Sequence, residues 1–486
     1  MNLRLRSWVG EVLSGVCAVL LFVMMFDHMT AIKFAGIGLV GAIILFLVVQ
    51  SLLSAPQEIG FPLSVPLGLW AAWALLSAFW SVDAEATLHA WLDEIAYPLV
   101  CFYAFWLLGR EAVYQRRMQA ASWLACGALA VASVVGFHFL DPAAPKPGLL
   151  HFYARVGHTS TVALMAISVF AAMAAVRATR AIGIVGVLFC VVIGAATLNR
   201  FFWIALAVVA VVLLWPRAGV WAERRRDYLV LGTLLVAVAC ATVFSNRVRL
   251  MTFAPTAAAA TPGHIMLPTG NGQPAPDATG TESAQSPRHP NTASSADLLD
   301  RLRRLSRIDV MTSTDTRPKI WAFYISQLHH HPWLGVGFGK PLPSIAYGKL
   351  IPASLLKLDE NAKTHAHNLF LNTLLQTGVV GLALQLALFA SVAWRFLALR
   401  ATRPFLCRAG LALLLGMLAK NMTDDFMWQS TALMFWACCG WLLGQCEAAF
   451  ARRADTGVRD ADRPFERELR GVPVAARSTQ EGELTV

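Results

Sequence analysis

A chain of 486 residues with 57% hydrophobic and 14% charged positions is too apolar for an ordinary soluble enzyme. The formal net charge of +11 suits a chain that meets anionic lipid or phosphate, but arginine placement in the loops accounts for much of it, so no nucleic-acid partner is expected. The apolar residues come in long runs, and a bilayer core of about 30 Å takes roughly 20 helical residues. In chain order such runs fall at 9–26, 34–53, 61–80, 95–108, 120–140, 159–176, 181–215, 228–244, 379–394, 405–418 and 426–445. The run at 181–215 is two short spans broken at Asn199-Arg200. The expected fold is an all-α polytopic membrane protein with about 12 transmembrane helices.

The first run follows Arg4 and Arg6 and has the look of a secretory signal. With no obvious small-residue cleavage site and further spans behind it, it reads as a retained helix. The nine cysteines lie within spans or at their ends, and none lies in the long hydrophilic connection, so no disulfide framework is implied.

Alternate short connections carry the positive charge: Arg4/Arg6, Arg110/Arg116/Arg117, Arg177/Arg180, Arg217/Arg224/Arg225/Arg226 and Arg395/Arg400/Arg403/Arg408. The opposite set is nearly bare, with Lys33, the acidic stretch 83–94, Lys146, Arg155, Arg200 and Lys420. The positive-inside rule therefore puts both termini in the cytoplasm. Residues 1–244 carry spans one to nine, 245–365 a long periplasmic loop, 366–446 spans ten to twelve, and 447–486 a polar, disordered cytoplasmic tail. Within the loop, 255–296 is rich in Pro, Ala, Gly, Thr and Ser and reads as a flexible insert. Helices are expected over 297–331. The first, 297–310, is basic and amphipathic, and its placement on the membrane surface or against the spans stays open. The second, 317–330, is entered through Thr316 and Pro318 and ends before His331-Pro332 and the glycine turn at 335–339. No predicted strand precedes those glycines, which argues against a dinucleotide fold.

Three polar features converge on the outer face: Thr364-His365-Ala366-His367-Asn368, Arg200 at the broken span, and Arg317 with Lys319 nearby. An arginine at a helix break is costly without a partner or water, which makes a functional role the default; snorkelling to headgroups is the alternative. The planar fork of Arg317 suits a pair of phosphate oxygens, although a loop arginine is usually a solvated charge. A histidine beside the membrane can be a general base, a metal ligand or a packed polar residue. Two residues apart on a helix, His365 and His367 are expected to point in different directions. No metal is expected, since His329-His330-His331 is a local cluster with no carboxylate or cysteine at ligand spacing.

His367-Asn368, nine residues, then Gly378-Val379-Val380-Gly381 resembles the motif of bacterial O-antigen ligases. The run Leu198-Asn199-Arg200-Phe201-Phe202-Trp203, and the segment from Arg317 through Trp321 to Pro332 and Gly335, are similar to the two arginine segments of the O-antigen ligase and polymerase superfamily. The resemblance implies an inner-membrane glycosyltransferase with a periplasmic site. Its donor is glycan on undecaprenyl diphosphate, its acceptor is lipid A-core oligosaccharide, and it uses neither cofactor nor metal. It further implies His367 as base and Arg200 and Arg317 as stabilisers of the departing diphosphate. Lys319, His365, Arg155 and Asn368 are substrate-binding candidates; the Asp424-Asp425 pair is a further candidate, with a wet turn between helices as the favoured reading. O-antigen polymerase and protein O-oligosaccharyltransferase are the neighbouring alternatives. A lipid-linked glycan flippase is the alternative from another class, although no internal repeat is evident.

Overall fold

The computed structural model describes residues 7–26, 29–54, 61–135, 156–197, 199–214, 316–358 and 360–469, together with 232, 233 and 236. Every regular element among them is helical. The first half holds α1 (Ser7–Val23), α2 (Thr30–Ser54), α3 (Ser64–Leu76), α4 (Ala84–Trp91), α5 (Tyr97–Arg110), α6 (Ala112–Val135), α7 (Val156–Ala174), α8 (Arg180–Ala196) and α9 (Arg200–Leu214). The second half holds α10 (Arg317–Gln327), the short α11 (Leu342–Tyr347) and α12 (Ala353–Leu358), then α13 (Leu369–Ala398), α14 (Pro404–Asn421) and α15 (Gln429–Leu469).

Among the described residues, six helical stretches are long and apolar enough to cross a membrane: Thr30–Gln50, Ala84–Arg110, Gly157–Ala174, Arg177–Ala195, Leu369–Ala398 and Gln429–Ala451. Shorter apolar helices occupy Trp8–Val23, Ser64–Phe79 and Phe201–Leu214. The predicted spans at 120–140 and 405–418 correspond to α6 and α14, while 228–244 lies almost wholly outside the described residues, as do 255–296 and 297–310. A lipid environment explains why α2 leaves Leu39, Leu45, Phe46 and Val49 uncovered. The interruption expected at Asn199-Arg200 falls between α8 and α9.

Three element boundaries differ from the hydropathy reading. The acidic stretch 83–94, expected as a connection, is helical from Ala84. Asp83 caps it by accepting from the Ala86 N–H at 2.9 Å, and a π-helical turn at Leu92–Ala96 joins α4 to α5. The expected span 379–394 begins ten residues sooner, at Leu369, because Asn372, Thr373 and Gln376 are buried in protein rather than facing lipid. The tail expected to be disordered from 447 continues as helix to Leu469. There the Glu447 carboxylate accepts from Trp106 Nε1 at 2.8 Å and from Arg395 Nε at 2.9 Å, and the strong helix formers Ala448, Ala449 and Ala451 carry the helix onward.

Small residues set the closest helix pair. An added Cβ at Gly440 or Gly444 of α15 would overlap the Phe102 or Trp106 carbonyl of α5, and one at Gly109 would overlap the Trp441 carbonyl. Bare glycine surfaces let these two backbones touch. A second core is formed by Ile320, Tyr324, Val336, Leu342, Tyr347, Ile351 and Leu355 between α10 and α13, with Tyr324 donating to the Ala362 carbonyl at 2.9 Å.

The glycine turn after α10 docks on a kink in α13. Gly378 has φ 67° and ψ −172°, outside helical geometry. Such a kink frees carbonyls that α-helical bonding would have satisfied. Leu375 O accepts from Val336 N at 3.0 Å, Gln376 O from Gly337 N at 2.9 Å, and Thr377 O from Trp73 Nε1 at 3.1 Å. The Val379 N–H donates to Pro332 O at 2.9 Å. An added Cβ at Gly378 would strike the Trp333 carbonyl.

Gly378→Ala therefore combines a strained positive φ with a steric overlap, and should destabilise the protein by about 1–3 kcal/mol. A thermal midpoint in detergent equal to that of the native protein would show that the kink relaxes freely. Topology has its own test. The described cysteines are all buried, so with Cys240 replaced by serine single introduced thiols report cleanly. Lys349→Cys, ahead of α13, and Arg400→Cys, after it, should react with an impermeant thiol reagent from opposite sides of the membrane, with Lys349→Cys labelled from outside. Reaction of both from one side would remove the expected orientation.

Candidate functional site

The site gathers where α13 begins and α14 ends. Asn368 caps α13: its Oδ1 accepts from the Leu371 N–H at 3.0 Å, and its Nδ2 donates to the Met422 carbonyl at 2.8 Å. One side chain thus starts α13 and ties it to the turn after α14. The preceding residue, His367, has φ 50°, an unusual backbone state for a non-glycine residue. This bend brings the rings of His365 and His367 to 4.0 Å between centroids. The expectation that two histidines at this spacing would point apart on a helix is corrected here, because both precede the first turn of α13.

Both rings address one oxygen. His365 Nε2 lies 2.9 Å and His367 Nδ1 3.2 Å from Asp424 Oδ1. The Asp425 N–H also donates to that oxygen, at 2.8 Å. Burial alone would raise the Asp424 carboxyl, but the hydrogen bonds from His365 and His367 outweigh it and hold the group well below the usual carboxylate range. His365 is pushed down to about 4, chiefly by burial, against the upward pull of its Asp424 bond. It is therefore neutral at physiological pH, donating through Nε2 to Asp424 and accepting at Nδ1 from the Thr364 hydroxyl at 2.9 Å. Asp424, read from sequence as a wet turn, is instead the common partner of both imidazoles. Asp425 is also enclosed: its Oδ2 accepts from Asn372 Nδ2 at 3.0 Å, and its carbonyl from Lys340 Nζ at 2.5 Å.

Cations approach the same corner. Arg317 opens α10 with its guanidinium 4.4 Å from the ring centroid of Phe201, the residue after Arg200. The two arginine segments, far apart in sequence, thus meet. Arg200 is the first residue of α9; its side chain and all of Arg155 lie outside the described residues. Lys420, at the end of α14, is 1% exposed and feels the charges of both Asp424 and Arg317. Lys319 is exposed on α10 and makes no side-chain polar contact among the described residues. Sequence reading passed over Lys420 because one lysine at a span end is ordinary; its company only appears in three dimensions.

His365, His367 and Asp424 also present one ligand atom each within 4.8 Å of one another, so among the described residues they are the set that would hold a divalent metal. The two chemistries make opposite demands. Hydrogen bonding needs a proton on each imidazole nitrogen facing Oδ1, whereas coordination needs those nitrogens bare.

Residues 185–386 match the family model described as O-antigen ligase. That stretch, under half of the chain, is similar to the O-antigen ligase family. A protein named O-antigen ligase from Pseudomonas aeruginosa is 32% identical over 74 residues, a stretch covering 15% of this chain and 16% of that relative. The family match takes in Arg200, Arg317, both histidines, Asn368 and Gly378, and ends before Lys420 and Asp424.

Asp424→Asn keeps the shape of the side chain and removes its charge. A carboxylate beside an imidazole favours the protonated ring, so its loss lowers the histidine's affinity for protons. In an assay of the activity proposed below, the acidic limb of the pH–rate profile should then move to lower pH, with turnover reduced about 10²-fold or more. A limb that stays in place would show that Asp424 does not govern the working histidine.

Proposed function

We propose that this protein is an O-antigen ligase that transfers glycan from undecaprenyl diphosphate to lipid A-core oligosaccharide, at the periplasmic face of the inner membrane. The observation that carries the reading is the shared hydrogen bonding of His365 and His367 to Asp424, one helix end from Arg317 and Lys420. About twelve spans with both termini cytoplasmic would put this corner outside.

A sugar hydroxyl is a weak nucleophile until its proton is taken. In the proposed step Asp424 holds the Nδ1–H of His367, and Nε2 of the same ring accepts the acceptor's hydroxyl proton. The freed oxygen attacks the anomeric carbon of the donor, and the carbon–oxygen bond to the diphosphate breaks. Direct displacement inverts that centre, and undecaprenyl diphosphate leaves with the bonding pair. Its growing negative charge is met by Arg200, Arg317 and Lys420, which act more strongly on the transition state than on the bound donor. Asp424 steadies the imidazolium that forms, and His365, neutral and fixed by Thr364, keeps the carboxylate in place. Asn368 holds the histidine turn against the end of α14. No metal enters this scheme.

Reconstitution with lipid-linked O-antigen and purified lipid A-core tests the reading. Glycan should appear on the core; longer lipid-linked chains instead would identify a polymerase, and passage across the membrane without transfer a flippase. His367→Ala should bind donor yet transfer it about 10²–10⁴-fold more slowly in a single turnover. Arg200→Ala and Arg317→Ala should each lose about 10²–10³ in rate, with lysine recovering only part. Prior treatment with a strong chelator should leave transfer unchanged. Loss restored by added divalent ion would replace the base mechanism with a metal at His365, His367 and Asp424.

A further inference from the structure

A cavity lies at the other end of the bundle. It encloses about 620 Å³ between the start of α6, the end of α7, the α13–α14 turn and the middle of α15. α14 runs the whole way from this cavity, at Pro404, to the histidine corner, at Lys420, a separation of about 25 Å at 1.5 Å per residue. The cavity therefore takes no part in the chemistry proposed above, and its reading does not rest on that chemistry.

Its polar wall is Arg116, Arg403, Arg408, Gln115, Gln119 and Gln445, and no carboxylate lines it. Arg408 is anchored, donating from Nη1 to the Leu213 carbonyl at 3.2 Å. Arg116 and Arg403 are exposed and form no ion pair with a carboxylate among the described residues. By contrast, their neighbours Arg117 and Arg395 are each paired, with Glu11 and Glu447. The opposite wall is apolar, with Val169, Met173 and Leu442. The arginine excess of cytoplasmic loops explains why basic residues stand on this side. It does not explain why three of them converge with amide side chains on one concave space beside an apolar wall.

We propose that this cavity binds a phosphate-bearing anion, with the headgroup of an anionic phospholipid of the cytoplasmic leaflet as its source. Arg116 and Arg403 hold the phosphate oxygens with forked N–H donors, the glutamines take up glycerol hydroxyls or ester oxygens, and the apolar wall receives the first methylenes. The volume falls within the range of small-molecule sites.

Protein stripped of lipid in neutral detergent tests this by native mass spectrometry and thermal unfolding. Phosphatidylglycerol should bind and raise the unfolding midpoint, and phosphatidylcholine should do neither. The Arg116→Gln/Arg403→Gln double variant should weaken phosphatidylglycerol binding roughly 30-fold, from the worth of two arginines near a membrane surface. Arg177→Gln/Arg180→Gln removes the same charge from the same side outside the cavity, and should stay within about twofold of the native protein. Inorganic phosphate is the remaining arm. If it leaves the midpoint unmoved the source is the lipid; if it reproduces the shift, and the Arg116/Arg403 variant abolishes it, the same anion site is filled from solution. Equal weakening in both double variants, or equal binding of the two lipids, overturns the proposal.

Discussion

A broken helix packed among apolar helices must find new partners for the backbone groups it releases, and α13 meets that demand at Gly378. Unpaired amide groups in an apolar setting cost several kcal/mol each. Here the segment after α10 supplies Val336 N, Gly337 N and Pro332 O, and α3 supplies Trp73 Nε1. The same segment is held from the other side, with Val82 N donating to Val336 O at 3.0 Å and Phe338 N to Ser77 Oγ at 2.8 Å. One set of hydrogen bonds therefore clamps the loop helices, α3 and α13 together. Everything built on the first half of α13, including the histidines at its mouth, takes its position from that clamp.

The histidine corner depends on a second constraint of the same kind. Asn368 and Asp424 are each bonded across the gap between the start of α13 and the end of α14, so the two helix ends cannot shift independently. A half-buried carboxylate is tolerable because it collects several N–H donors, and those donors are the groups whose orientation matters. Stability and orientation are thus two readings of one network.

The glycine spacing of the histidine motif takes on a specific meaning in this light. Gly378 and Gly381 suggest, as letters, a small-residue surface for a neighbouring helix. In the fold, Gly378 is a kink that admits an irregular segment, the Trp333–Leu334 backbone, and only a residue without a side chain fits both the φ and the contact. The opposite end of the bundle is organised by packing instead, where Gly109, Gly440 and Gly444 let α5 and α15 touch.

Hydropathy and charge by themselves determined that the chain is helical and membrane-bound, that the run at 181–215 breaks beside Arg200, and that His367 and Asn368 stand at the mouth of a span. These are local properties: apolar length, loop charge and a short motif are all read within a few turns of one helix. Tertiary structure alone decided the company each residue keeps. Asp424 is 57 residues beyond His367, and nothing in a turn of two aspartates says that both imidazoles will share one of its oxygens. Lys420 and Arg317 likewise become neighbours only because α14 ends where α10 begins. The polar start of α13 was hidden for a related reason, since hydropathy measures fitness for lipid and cannot see a partner protein wall. Long-range contact is set by how helices pack, and packing depends on many residues at once.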